Sequence, residues 1–309
     1  MQRFLYTILT LLALLPIQAQ QFGAEWMEAA TPNDTSCLWL RRTFVSAVPL
    51  RRASVCVASN GRFRLYVNGR NVSAAVFTPA CDTPYDATSM TFDVTRFLRP
   101  DSNTVALLIC PPSRSASQPK ASVGFFGTTA RGSKFADASA DGWLCHTAST
   151  SLSAGGERLD SRQDSLAPAY GDAVSMLWTP AISTPKPATP HDLGLSAEGI
   201  FACFATSRAT PPDNAAYTYK ILQPQSYTTD GRSITCDFAP GFYGIVRVTL
   251  RGCQRGERIS IGNLSYICSG GTDEQAFCRF TPQYMRSVRI SGDRHFAPDQ
   301  VEEVEALCF

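Results

Sequence analysis

The chain has 309 residues, 44% of them apolar and 17% charged, with a formal net charge of +2. At roughly 100–200 residues per domain this length holds two domains with real cores, and the low charge excludes a disordered acidic or basic tail. The near-neutral balance supplies no general field for nucleic acid or an anionic membrane surface, which leaves a turn-rich, soluble class whose odd features are eleven cysteines against three histidines.

Residues 1–20 read as a secretory signal peptide. Arg3 precedes an apolar run of about fourteen residues, Phe4 to Ile17, broken at Pro16, with Ala19 at the cut. The run is too short to span a bilayer comfortably, so a periplasmic or secreted protein without a membrane span is expected. Strand-like segments then begin. Cys37–Val45 mixes aromatic and β-branched residues, and Ala53–Val67 ends in clear alternation before Asn68-Gly69. That dipeptide is the strongest short hairpin signal, because a type I′ turn needs positive φ at both positions. Thr91–Val94, Thr104–Cys110, Ser122–Thr129 and Asp141–His146 follow, the last opening on an Asp141-Gly142 turn. Residues 179–191 hold four prolines, a semi-rigid extended stretch read as a linker. Beyond it, Asp230-Gly231 turns into Ser233–Phe238, and Ile245–Leu250, Arg258–Ile261, Tyr266–Cys268, Ala276–Phe280 and Ser287–Ile290 read as further short strands. Val301–Leu307 is expected to make one or two helical turns. Short strands every 8–12 residues with turns between them indicate sandwiches. The expectation is an all-β fold of two consecutive β-sandwich, jelly-roll-like domains: residues 21–178, then the linker 179–191, then residues 192–309.

Export would permit disulfides. The cysteine count is odd, no Cys-x-x-Cys occurs, and no Cys/His cluster has zinc-finger spacing. Cys56 and Cys110 sit in apolar runs, as buried small hydrophobes do. Cys268 and Cys278 flank a Gly-Gly turn where a bridge would close a hairpin, but the sequence does not set the pairing.

The sequence lacks metalloprotease, nucleophile-elbow and phosphate-loop motifs. His146, His191 and His295 are isolated and read as ordinary polar histidines. Glu157 and Asp160 stand close enough to be weighed as an acid/base pair for glycoside hydrolysis. Their alternation with Arg158 and Arg162 favours a salt-bridged structural loop. Asp82, Asp86 and Asp93 cluster around Tyr85. Calcium favours several oxygen ligands, so a calcium site stands beside the plainer reading of turn-capping aspartates.

Residues 38–110 resemble the N-terminal β-domain of bacterial α-L-rhamnosidases. The carriers are Trp39-Leu40-Arg41-Arg42-Thr43-Phe44, Arg62-Phe63-Arg64-Leu65-Tyr66-Val67-Asn68-Gly69-Arg70, Phe92-Asp93-Val94-Thr95 with Phe97-Leu98, and Asn103. The likeness continues through Asp141-Gly142-Trp143, Gly156–Arg162 (with Leu159 where the family has tyrosine) and Trp178-Thr179-Pro180. It resumes with Asp237-Phe238, Gly244, Val246-Arg247-Val248 and the strands from Phe280-Thr281 to Arg286-Ser287-Val288. It is colinear over about residues 37–292. Departures fall in loops: Pro79-Ala80-Cys81-Asp82 lacks the family's tryptophan, Ala239-Pro240-Gly241 replaces glycine-glutamine-asparagine, and Gln283-Tyr284-Met285 replaces a histidine-glycine.

The resemblance implies a secreted, non-catalytic protein made of a rhamnosidase's ancillary domains, binding rhamnose-containing oligo- or polysaccharide or supporting a separate glycoside hydrolase. The family's catalysis lies on a barrel of twelve helices, needing ~140 helical residues. No such segment is expected here, so none of its catalytic carboxylates is carried over. The competing readings are an interaction protein that has lost sugar binding, suggested by the missing tryptophan, and a hydrolase with an unrecognised site. The expected sugar site is Asn71, Asp82, Tyr85 and Asp86, with Tyr85 as the platform and calcium held by Asp82 and Asp86.

Overall fold

The computed structural model describes residues 25–31, 33, 35–79, 85–112, 117–153, 155–164, 178–185, 190–195, 216 and 218–309. The expected signal peptide and Asp82 lie outside them. Strands dominate, and among the described residues there is no α-helix, only short 3-10 turns such as Thr95–Phe97. The all-β expectation holds.

Turn chemistry accounts for much of the pattern. Asn68 (φ 52°) and Gly69 (φ 78°) take the left-handed conformations that their hairpin demands, joining Phe63–Val67 to Arg70–Asn71. The Asn68 side chain adds cross-links. Its amide donates to Asn103 Oδ1 (2.9 Å), and its oxygen accepts the Thr104 N–H (2.9 Å). The expected single run Ala53–Val67 divides into Leu50–Ser59 and Phe63–Val67, which go to different sheets.

In the first sandwich a seven-stranded sheet runs in the order Ile182–Thr184, Trp26–Glu28, Ala121–Thr129, Leu50–Ser59, Thr88–Asp93 and His191–Leu195, with Lys134–Asp137 also on Ala121–Thr129. It faces the strands Ser36–Val45, Phe63–Val67 and Ser102–Ile109 of a larger sheet. Alternate residues from both sides fill the gap: Val55, Val57, Met90, Phe92, Val123 and Phe125 against Leu38, Leu40, Leu65, Val105 and Leu107. Each such buried side chain contributes about 1.5–3 kcal/mol of burial free energy. The described parts of the proline-rich stretch are strand-paired to this unit. Thr179–Pro180 lies on Leu144–Cys145, and Ile182–Thr184 lies on Trp26–Glu28.

The second sandwich is organised on one long strand, Ser233–Arg251, where two short ones were expected. Its pairing with Gln283–Gly292 shifts between Asp237 and Phe242, and it continues onto Val301–Cys308 and Asp273–Phe277. The expected helical turns at Val301–Leu307 are corrected here. The segment is a strand, Val301–Cys308, paired with Ser233–Arg251 on one side and Lys220–Leu222 on the other. Two ladders outweigh a weak local helical preference, and Val304 and Ala306 alternate into the core.

The two sandwiches share the larger sheet, which has fifteen described strands. The join is one parallel pair, Gly156–Asp160 on Leu264–Ile267. Leu159, of the first half, is buried in the second half's core.

Candidate functional site

Of the expected site, Asn71, Tyr85 and Asp86 fall among the described residues. Asn71 ends a two-residue strand of the larger sheet, exposed, its Oδ1 accepting the Ser73 N–H at 3.2 Å in a tight turn. Tyr85 and Asp86 lie beside the smaller sheet, just ahead of Thr88–Asp93, and both are exposed. Tyr85 is 47% accessible and stacks on His191, ring centroids 3.8 Å apart and planes within 11°. His191 reaches it because His191–Leu195 adds to the sheet in parallel, with His191 opposite Thr88. Asp93 caps a turn, accepting the Thr95 N–H at 2.9 Å. Among the described residues no group of three or more His, Cys, Asp or Glu side chains is placed to hold a metal ion. Calcium takes six to eight oxygen ligands, and of the expected carboxylate pair the described residues include Asp86 alone.

Glu157 and Asp160 have separate tasks. Asp160 pairs with Arg162 (2.7 Å), and that guanidinium holds its carboxyl below the ordinary range. Glu157 is buried at the join between the sandwiches. Its carboxylate accepts the N–H groups of Arg279 (2.7 Å) and Phe280 (3.0 Å) and the Thr281 hydroxyl (3.1 Å). Burial pushes its pKa up, and these donors oppose that shift. From the other side Arg62 and Arg64 donate to the carbonyls of Phe280 and Arg279. First-sandwich side chains thus grip the backbone at 279–281 through both its donors and its acceptors. Gly156 permits the close approach, since a Cβ there would collide with the Asn263 carbonyl. This arrangement joins two units; the geometry of an acid/base pair across a substrate is not what Glu157 and Asp160 form.

The register assembles a surface that sequence reasoning missed. Tyr243 lies directly opposite Tyr284. Phe309 donates its N–H to the Tyr243 carbonyl (2.9 Å), and Tyr219 donates to the Cys308 carbonyl (3.0 Å). With Lys220 opposite Cys308 and Cys308 opposite Gly244, Tyr219, Phe309, Tyr243 and Tyr284 form one row across four strands. Directly opposed residues share a face of the sheet. Tyr219 is 71%, Tyr243 42% and Tyr284 69% accessible. Phe309 is half-buried, edge-on to Phe77 of the first sandwich at 5.7 Å, so the row borders the join. Tyr284 lies across Gly241, where any side chain would meet its ring and hydroxyl. Strand alternation with buried Phe242 marks Tyr243 as outward-facing. Its partner, about forty residues away, has no local signal.

A cleft of about 450 Å³ opens elsewhere on the second sandwich, lined by residues including Arg255, Glu257, Asp293, Arg294 and His295. Glu257 is buried. One carboxylate oxygen accepts the Gln254 N–H (2.8 Å), and the other has no hydrogen-bond partner among the described residues.

Residues 49–115 match the α-L-rhamnosidase N-terminal domain family. Three solved structures share the fold. The α-L-rhamnosidase of Dictyoglumus thermophilum is 18% identical, with a TM-score of 0.74, covering 94% of this chain and 36% of that one. The Streptomyces avermitilis α-L-rhamnosidase, solved in complex with L-rhamnose, is 16% identical, with a TM-score of 0.69, covering 89% and 28%. The Aspergillus terreus enzyme is 15% identical, with a TM-score of 0.69, covering 93% and 36%. The chain therefore spans about a third of the length of these enzymes, and the likeness expected for its β-domains is shown at the level of fold. No curated protein matches the chain.

Proposed function

We propose that this chain is an exported, non-catalytic carbohydrate-binding accessory protein, taking rhamnose-containing oligo- or polysaccharide and working beside a separate glycoside hydrolase. The observation that carries the reading is the row of accessible tyrosines on one sheet face, Tyr219, Tyr243 and Tyr284. An aromatic ring presents an apolar face with a polar hydroxyl at its edge. A 6-deoxy sugar offers the complement, a C–H face and methyl group with hydroxyls around them. A contiguous exposed aromatic patch is a recognised mark of a binding surface. The stacked Tyr85–His191 pair, with Asp86 beside it, is a second and smaller platform on the first sandwich. The fold-level likeness to rhamnosidases supports the choice of sugar.

A shallow site of this kind holds a ligand at about millimolar to tens of micromolar, roughly 4–7 kcal/mol. The test is calorimetry with L-rhamnose and rhamnosyl oligosaccharides, with and without calcium, on the parent chain, on Tyr243→Ala with Tyr284→Ala, and on Tyr85→Ala. The expected outcome is a weakening of about five- to tenfold in the double variant, the loss of roughly 1–1.5 kcal/mol of ring contact. Calcium sensitivity confined to the Tyr85 site would locate the ion there. Absence of heat at high ligand concentration, or binding unchanged in all variants, overturns the reading and favours an interaction protein.

A further inference from the structure

The fold gathers four of the buried cysteines into two neighbourhoods, one in each sandwich. Cys37 is the second residue of the strand Ser36–Val45, and Cys110 follows the strand Ser102–Ile109. These strands are antiparallel with Leu38 opposite Ile109, so the register brings Cys37 and Cys110 opposite each other one step further on. Directly opposed residues of an antiparallel pair have Cα atoms about 4.5–5.5 Å apart, inside the 4.4–6.8 Å range of disulfides. Both lie in one buried cluster with Trp39 and Phe280. In the second sandwich the turn at 253–257 folds back on Cys268. Gly256 donates its N–H to the Cys268 carbonyl, and Cys268 donates to the Glu257 carbonyl, each at 2.9 Å. Cys253 and Cys268 are both buried there, in one apolar cluster. Cys278, across the Gly-Gly turn from Cys268, directs its thiol to Asn263 Oδ1 (3.4 Å).

We propose that Cys37–Cys110 and Cys253–Cys268 are disulfide sites, closed by exchange with an oxidising disulfide of the glutathione or dithiol-oxidase class. One cysteine thiolate attacks a sulfur of the oxidant, breaking its S–S bond and releasing one thiolate. The second cysteine attacks the mixed disulfide, forming the protein S–S bond and expelling the other thiolate. Per bridge, two protein thiols are oxidised, one oxidant disulfide is reduced to two thiols, and the two protons pass to those thiols. Inside the finished fold all four cysteines are buried, and burial holds the Cys37 thiol in the unreactive protonated form. Closure therefore belongs to folding, before the sheets pack, and the same burial then shields the bridges from reductants.

The test is refolding of the full chain in mixed oxidised and reduced glutathione, followed by alkylation under denaturant and peptide mapping. The chain has eleven thiols when reduced; with two bridges closed, seven remain to titrate. Cross-linked peptides joining Cys37 to Cys110 and Cys253 to Cys268 are expected, each lighter by two hydrogens. In Cys253→Ala, Cys268 becomes titratable while the Cys37–Cys110 link persists. Eleven alkylated cysteines, or links to other partners such as Cys268 to Cys278, overturn the proposal. A map holding only one of the two links overturns it for the other pair.

Discussion

Removing the carboxylate of Glu157 should loosen the join between the sandwiches. In Glu157→Ala the buried N–H groups of Arg279 and Phe280 lose their acceptor, and so does the Thr281 hydroxyl. The Thr281 hydroxyl can rotate towards another acceptor, whereas the backbone N–H groups are fixed, so two backbone donors are the obligate orphans. Each buried unpaired donor costs about 1–3 kcal/mol, or roughly 2–6 kcal/mol for two. Relieving the buried charge offsets part of this, which leaves a loss of about 3 kcal/mol. At about 2.1 cal/mol/K of unfolding entropy per residue, a chain of 309 residues then loses about 5 °C in Tm. Glu157→Gln keeps one acceptor oxygen and should lose about half as much. Calorimetric melting gives the magnitude, and amide hydrogen exchange at Arg279 and Phe280 gives the location. A loss below about 1 kcal/mol in Glu157→Ala, with exchange at those two amides unchanged, would refute the assignment of Glu157 as the polar anchor of the join.

Gly156→Ala should destabilise by about 1–3 kcal/mol, because its Cβ meets the Asn263 carbonyl and must push the parallel strand pair apart; an unchanged melting temperature would show that the strands have room. Glu274 governs part of the acid limb. Burial raises its pKa, but the N–H groups of Ser269, Gly270 and Gly271 and the Tyr266 hydroxyl outweigh that and hold it below its ordinary 4.5. Its contribution is complete above that value and disappears as pH falls through the lower folded one, so Glu274→Gln should melt with a flatter profile between about pH 5 and 2; an acid limb identical to the parent's would remove this role. Purified chain should release no nitrophenol from an aryl α-L-rhamnoside, since Glu157 is fully engaged in the join and Asp160 is ion-paired with Arg162; steady release abolished by Glu157→Gln would reinstate a hydrolase.

Alternation and turn residues made most first-sandwich strands legible, because Asn68-Gly69 and Asp141-Gly142 carry their geometry locally. Where legibility failed, long-range pairing decided the structure. Val301–Cys308 has no strong local preference, and two neighbouring strands select its conformation. Glu157 was visible as part of a charged motif, and a structural role was favoured. Its partners at 279–281 lie more than a hundred residues downstream, so what it holds was not readable. Candidate surfaces differ in the same way. Tyr85 stands out as an aromatic among aspartates, whereas the row of Tyr219, Tyr243, Tyr284 and Phe309 exists only once four strands are in register.

The parallel pairing of Gly156–Asp160 with Leu264–Ile267 also constrains how the chain is made. A ribosome adds roughly 5–20 residues per second. The Gly156–Asp160 strand therefore waits several to about twenty seconds before its partner has even been synthesised. Throughout that interval one side of the strand is an unpaired edge, with Leu159 lacking the core that will bury it. Such an edge readily recruits a strand from another nascent copy. The chain's yield should therefore be limited at this point of synthesis, and slowing translation between the two strands should increase aggregation more than slowing it anywhere after residue 267.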